Sequence, residues 1–171
     1  GGAVRIGAPA TDGGLIDVQM SLFEGNTCDQ DGGALSVDYT SSEAVSLRVL
    51  ETTFTSNSGA ASGGALLVST DGTVDLDLSD TEFTGNAAGT VGGAMELSAD
   101  ALTFDMFRGA ISNNQAAVNG SAIKFNAWTA DEPFDALLSE VSIEDNVVTD
   151  DDGGAIAISN PVSAVLDACT V

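Results

Sequence analysis

Histidine is absent from this 171-residue chain and basic residues nearly so, with four Lys and Arg against 26 Asp and Glu. Without imidazole, the commonest general base and the usual nitrogen ligand for metals are missing. The formal net charge of −22 repels phosphate, which excludes double-stranded nucleic acid and anionic membrane surfaces as partners. Long hydrophobic runs are also lacking, and none approaches the roughly 18–20 residues that a bilayer span requires, so direct membrane insertion is not expected. The opening residues, Gly1-Gly2-Ala3-Val4-Arg5, carry no signal peptide; any targeting segment is expected to lie outside this sequence. What is present argues against disorder. Apolar residues make up 43% of the chain and alternate in order, whereas disordered acidic chains lack them.

The order is a repeat. Gly-Gly-Ala recurs at Gly1, Gly32, Gly63, Gly92 and Gly153, with a variant Gly120-Ser121-Ala122 before the last. An apolar residue followed three positions later by Asn runs in phase with it, as Phe23/Asn26, Phe54/Asn57, Phe83/Asn86, Ile111/Asn114 and Ile143/Asn146. From that Asn to the next Gly is six residues in four cases and seven in the fifth, while whole repeats span 28 to 33 residues. Each repeat holds two stretches of period-2 apolar alternation, which predicts strands. One follows Gly-Gly-Ala, with Val4/Ile6, Leu35/Val37, Leu66/Val68, Met95/Leu97, Ile123/Phe125 and Ile156/Ile158 facing inward. The other places Ile16/Val18, Leu47/Val49, Leu76/Leu78, Phe104/Met106, Ala136/Leu138 and Ala164/Leu166 inward. No long stretch carries a 3.6-residue period, so no helix is expected.

A unit of this length with two or three short strands cannot bury its apolar face alone; it must stack on copies of itself. The expected fold is all-β: a right-handed parallel β-helix of about six coils across residues 1–171, its hand set by the strong preference of parallel crossovers. Leucine-rich repeats are excluded because the L-x-x-L-x-L-x-x-N pattern is missing. Gly-Gly would form a tight or positive-φ corner beside the small Ala. Asn26, Asn57, Asn86, Asn114 and Asn146 would stack as an internal amide ladder satisfying turn backbone groups.

Gly-Gly-Ala-apolar together with Phe-x-x-Asn, once per coil, resembles the polymorphic outer membrane protein repeat, best known from chlamydial autotransporter adhesins. The resemblance spans the chain. Three Asn motifs match literally, two carry Ile at the Phe position (Ile111, Ile143), and one corner is Gly-Ser-Ala. It implies an extracellular, cell-surface β-helical stalk, adhesin or structural protein; motifs of this kind specify fold more than function. A dense carboxylate surface would also suit a secreted protein in salty water.

Right-handed β-helices include pectate lyases and polygalacturonases, so polysaccharide cleavage is an alternative. Such chemistry needs a free cation near carboxylates, or paired carboxylates on a groove. The register instead sends Arg48 between Asp17 and Asp77, Arg108 between Asp80 and Glu140, and Lys124 beside Glu96, leaving only Arg5, beside Ser36, without an acidic neighbour. As a metal site, Asp77 and Asp105 should stack in adjacent coils with Asp75 close by and Asp80 further along; a hard cation such as Ca²⁺ would relieve their repulsion, against the plainer reading of a solvated acidic face. Asp150-Asp151-Asp152 and Cys28-Asp29-Gln30-Asp31 are further acidic clusters. Trp128, in the loop from Asn126 to Pro133, is a candidate glycan or protein contact, and Asn119-Gly120-Ser121 is a glycosylation sequon.

The reading that follows is a non-catalytic extracellular scaffold within a larger surface, stalk or filament protein. Its expected partners are other chains or flanking segments and, through loops, glycans. No cofactor other than calcium is implied. Neither end carries a polar capping unit, so a fragment of a longer array, prone to associate end to end, is expected. Cys28 and Cys169 lie four to five coils apart on this register, about 20 Å along the axis, which forbids a disulfide between them. Cys28 is expected in an exposed acidic loop and Cys169 at the small-residue position of Ser21, Thr52 and Thr81.

Overall fold

A computed structural model describes residues 2–7, 14–39, 42, 44–129, 133–151, 153–160 and 163–171. Among these residues there is no helix, and every strand pairing is parallel. The chain winds into a β-solenoid with three sheets. The first has six strands, starting at Val4–Ile6 and ending at Ile156–Ser159; the second has the longest strands, such as Thr73–Ser79 and Ala101–Ser112; the third has five two-residue strands, from Thr27–Cys28 to Val147–Val148. That makes about five full turns and a sixth without a third-sheet strand, close to the six coils expected. The third sheet is the element that alternation misses, because two residues show no period.

Both sets of inward columns appear in register. Leu76 stands between Leu47 and Phe104, and Met95 between Leu66 and Ile123. Their side chains form one continuous core in which Leu76, Leu78, Phe83, Phe104, Leu97 and Phe125 have no solvent exposure. Burial of side chains this size is worth roughly 1.5–3 kcal/mol each relative to exposure. The rings of Phe23, Phe54 and Phe83 stack nearly parallel, 4.8 and 4.7 Å apart. That spacing is the strand separation itself, so identical side chains at one position repeat the packing at every turn.

Among the described residues, three corners recur from coil to coil with a left-handed residue. At the third corner Gly32, Gly63, Gly92 and Gly120 adopt φ of 60–68°, where glycine carries no Cβ penalty. The second uses Gly25, Ser56, Gly85, Asn113 and Asp145, and the first uses only non-glycine residues, Met20, Glu51, Asp80, Arg108, Glu140 and Ala168, at φ of 46–57°. An L-residue in this region costs about 1–2 kcal/mol, a strain that the stacked strands on both sides must hold.

The second glycine of each corner has a different reason. A Cβ on Gly64 would lie 2.0 Å from the carbonyl oxygen of Gly93 in the next coil, and one on Gly33 equally close to that of Gly64. Backbone meets backbone there, and no side chain fits.

Leu76→Ala is expected to destabilise the array by roughly 2–5 kcal/mol, because coils held on both sides cannot close the void. The outward neighbour Asp77→Ala should cost under about 1 kcal/mol, or stabilise, by ending the repulsion against Asp105 across the Asp77–Asp105 pairing. Urea unfolding of the two variants measures the difference, and equal midpoints would overturn the register.

Candidate functional site

The Asn column is built into the solenoid at the point where the second sheet ends. The backbone N–H and the side-chain Nδ2 of Asn57 both donate to Oδ1 of Asn86, at 2.9 Å each, and Nδ2 donates again to the Phe23 carbonyl at 3.0 Å. Asn86 repeats this with Asn114 Oδ1 and the Phe54 carbonyl, and Asn114 with Asn146 Oδ1 and the Phe83 carbonyl. Asn26 donates in the same way to Asn57 Oδ1, and Asn146 reaches the Ile111 carbonyl. Each central amide therefore uses both donors and both acceptor sites, at positions with 1% exposure or less. Such a row has no free group for a ligand; it holds the corner.

The four cations are all engaged. Arg48 pairs with Asp17 at 2.5 Å and Arg108 with Asp80 at 2.7 Å, each one coil apart. Arg5 pairs with Asp38 at 2.8 Å, a partner two positions beyond Ser36 on the neighbouring strand, which a search confined to one column overlooks. Lys124 corrects the expectation in the other direction. It does neighbour Glu96, yet its Nζ donates to Ser159 Oγ in the following coil. Burial pushes the Glu96 carboxyl above its usual range, and burial pulls the Lys124 ammonium below its own.

The acidic candidates separate. Asp77 and Asp105 are direct neighbours, and Asp75 precedes Asp77 by two residues on the same face. Asp80 lies at the first corner itself and is held by Arg108, whose hydrogen bonds keep its carboxyl below the ordinary aspartate range. Asp105 moves the opposite way, raised first by partial burial and then by Asp77 and Asp75. Among the described residues no three carboxylates converge closely enough to hold a metal ion. Of the other acidic clusters, Asp152 lies outside the described residues.

Trp128 is 41% exposed directly after the first-sheet strand Ile123–Ala127, with its backbone N–H on the Ala99 carbonyl; residues 130–132 of its loop lie outside the described residues. The sequon is locked into a corner, with Ser121 fully buried and Asn119 Oδ1 enclosed. Both cysteines are free and half-buried. Cys169 donates to the Leu138 carbonyl at 3.3 Å, in the column of Thr52 and Thr81. Cys28 is not in a loop: it ends the strand Thr27–Cys28 and stacks on Gly59, a placement hidden by the acidic residues that follow it.

With corner, ladder and ring stack in place, the comparison with known families can be read residue by residue. The model of the Chlamydia polymorphic membrane protein repeat matches residues 21–38 and 51–69. Each matched segment holds one Phe-x-x-Asn and the Gly-Gly-Ala after it. Those two segments are similar to the Chlamydia polymorphic membrane protein repeat. No curated protein and no solved structure matches the chain. Beyond the matched segments Phe83-x-x-Asn86 and Gly92-Gly93-Ala94 repeat the same letters, and Ile111 and Ile143 stand under Phe83 in the core.

Asn86→Ala would orphan two donors of Asn57 and the Phe54 carbonyl, and is expected to cost at least about 3 kcal/mol. Asn26→Ala, whose Oδ1 accepts no bond from a neighbouring rung, should cost about 1 kcal/mol. Chemical denaturation of both variants tests the ladder, and similar losses would count against it. Asp105→Asn is expected to raise the melting temperature at pH 7. Its folded carboxyl titrates above the unfolded value, so the penalty operates above that raised value and vanishes as pH falls to the ordinary aspartate range near 4. A variant gain independent of pH would contradict this origin.

Proposed function

We propose that the protein is a non-catalytic, extracellular scaffold, a rigid β-helical segment of a cell-surface protein that works through lateral contacts. The observation that carries this reading is the like-on-like stacking of a repeat that is similar to a surface-protein repeat. Among the described residues the core and the Asn amides run in register from coil to coil, with Phe rings stacked in three of them. The engagement of Arg5, Arg48 and Arg108 by carboxylates, and of Lys124 by Ser159, supports the non-catalytic part. A polyuronate lyase or hydrolase would have to release one of these cations before it could neutralise a substrate carboxylate.

A second reading, adhesion to a glycan or protein, is favoured by Trp128, whose ring is large, partly exposed and placed where a first-sheet strand leaves the stack. Stacking on a sugar face or filling a partner's pocket are its natural uses.

Antibodies raised against the folded chain are expected to label intact, unpermeabilised cells that produce it, and labelling only after permeabilisation would overturn the surface reading. The purified chain should release no unsaturated or reducing ends from polygalacturonate; release abolished by Lys124→Met would instead establish the enzyme. Trp128→Ala should leave labelling unchanged and remove glycan or host-protein binding if adhesion is the role.

A further inference from the structure

The outer face of the second sheet changes character along its axis. Its middle outward column runs Asp17, Arg48, Asp77, Asp105, Leu137, Val165, each paired with the next. In the early coils the charges answer one another, since Arg48 binds Asp17. In the later coils the column turns apolar, and Leu137 and Val165 stand 41% and 52% exposed. Leu137 has a coil on either side, Asp105 above and Val165 below; its exposure is outward and owes nothing to an end of the stack. Both line a shallow hollow of about 250 Å³, with Asp105 and Asp135 on its rim.

No cation of the chain serves this hollow. Arg48 and Arg108 are bound to Asp17 and Asp80, and Arg5 and Lys124 lie on the first sheet. Asp105 feels only the burial and the two aspartates that hold its carboxyl high. An exposed aliphatic pair flanked by the carboxylates Asp105 and Asp135 is complementary to an aliphatic side chain flanked by positive charge. A second copy of this chain does not fit that description, because at net charge −22 with four cations it brings more of the same sign.

We propose that this hollow docks a cationic segment of a partner protein, which sets an aliphatic side chain between Leu137 and Val165 and Lys or Arg side chains against Asp105 and Asp135. The proposal rests on the scaffold reading and names the contact surface. Docking would relieve a repulsion that folding alone leaves in place. Salt should therefore weaken it, while the aliphatic anchor should make it selective among basic segments.

The test compares two amidated peptides, Lys-Lys-Leu-Lys-Lys and its Leu→Ser counterpart, titrated into the isotope-labelled chain at 0.15 M salt and followed by NMR shifts. The Leu peptide is expected to bind about tenfold tighter, the gain of burying one aliphatic side chain, with shifts centred on Leu137 and Val165. The double variant L137S/V165S, at two exposed positions, should bind both peptides equally, and D105N/D135N should weaken both and flatten the salt dependence. Equal affinity of the two peptides for the unaltered chain, shifts spread over the whole acidic surface, or no binding of either would overturn the proposal. Any of these leaves the cell-labelling result, and with it the scaffold reading, untouched.

Discussion

In-register parallel stacking at the spacing of one strand governs this molecule, because each residue meets its own equivalent about 4.8 Å away in every turn. The rule rewards some residues and penalises others. Leu on Leu, Phe on Phe and Asn on Asn are self-complementary, and the ring stack and amide ladder are its direct products. Aspartate on aspartate is not. Where the column alternates sign, as with Asp17 and Arg48, stacking gives an ion pair at 2.5 Å. Where it does not, as with Asp77 and Asp105, the fold sets two carboxylates side by side, and partial burial together with that neighbour raises the Asp105 carboxyl. With four cations in the whole chain, such columns cannot all be balanced from within.

The same rule explains how much could be read in advance. Columns are legible whenever two motifs fix the phase, so Leu47, Leu76 and Phe104 fall into one stack by counting from Phe54 and Phe83. Pairings within a column are equally legible, and Arg48 and Arg108 were assigned from it. Contacts that leave the column are not. Arg5 reaches diagonally to Asp38, and Lys124 chooses the Ser159 hydroxyl on one side over the half-buried Glu96 on the other. Long flexible side chains select partners by rotamer and desolvation, which a one-dimensional register does not contain. The third sheet escaped for a simpler reason: two residues such as Ala87–Ala88 carry no alternation. The hollow at Leu137 escaped because an outward Leu in an acidic protein looks like an accident until its neighbours are known.

Function follows from the division between inside and outside. Inside, every coil must repeat, and Phe54, Asn57 and Gly64 have almost no freedom to vary without orphaning a donor or striking a carbonyl. Outside, each coil may differ, and the columns drift from charged to apolar and back. A solenoid thereby separates stability from recognition: the interior sets a rigid ruler and the exterior writes different contacts along it. Trp128 and the Leu137–Val165 hollow are both products of that outer freedom.

The variant corner Gly120-Ser121-Ala122 shows what happens when the inner rule is broken. Ser121 occupies the position of Gly33, Gly64 and Gly93, where a Cβ points into the next coil's carbonyl at 2.0–2.2 Å. The following coil cannot sit as the others do. Gly63 and Gly64 donate to two separate carbonyls, those of Val91 and Gly92, whereas the N–H groups of Gly120 and Ser121 both converge on Gly154 O. Ser121 Oγ and Asn119 Oδ1 are buried without a hydrogen-bond partner. The hydroxymethyl group at this corner thus coincides with a changed backbone pairing and two enclosed polar atoms. The interval from Asn146 to Gly153 is seven residues, one longer than in the other four coils. Spacing and substitution thus meet at one corner, and among the described corners it is there that the N–H groups of the first two motif residues share a single carbonyl in place of the separate partners that Gly63 and Gly64 find.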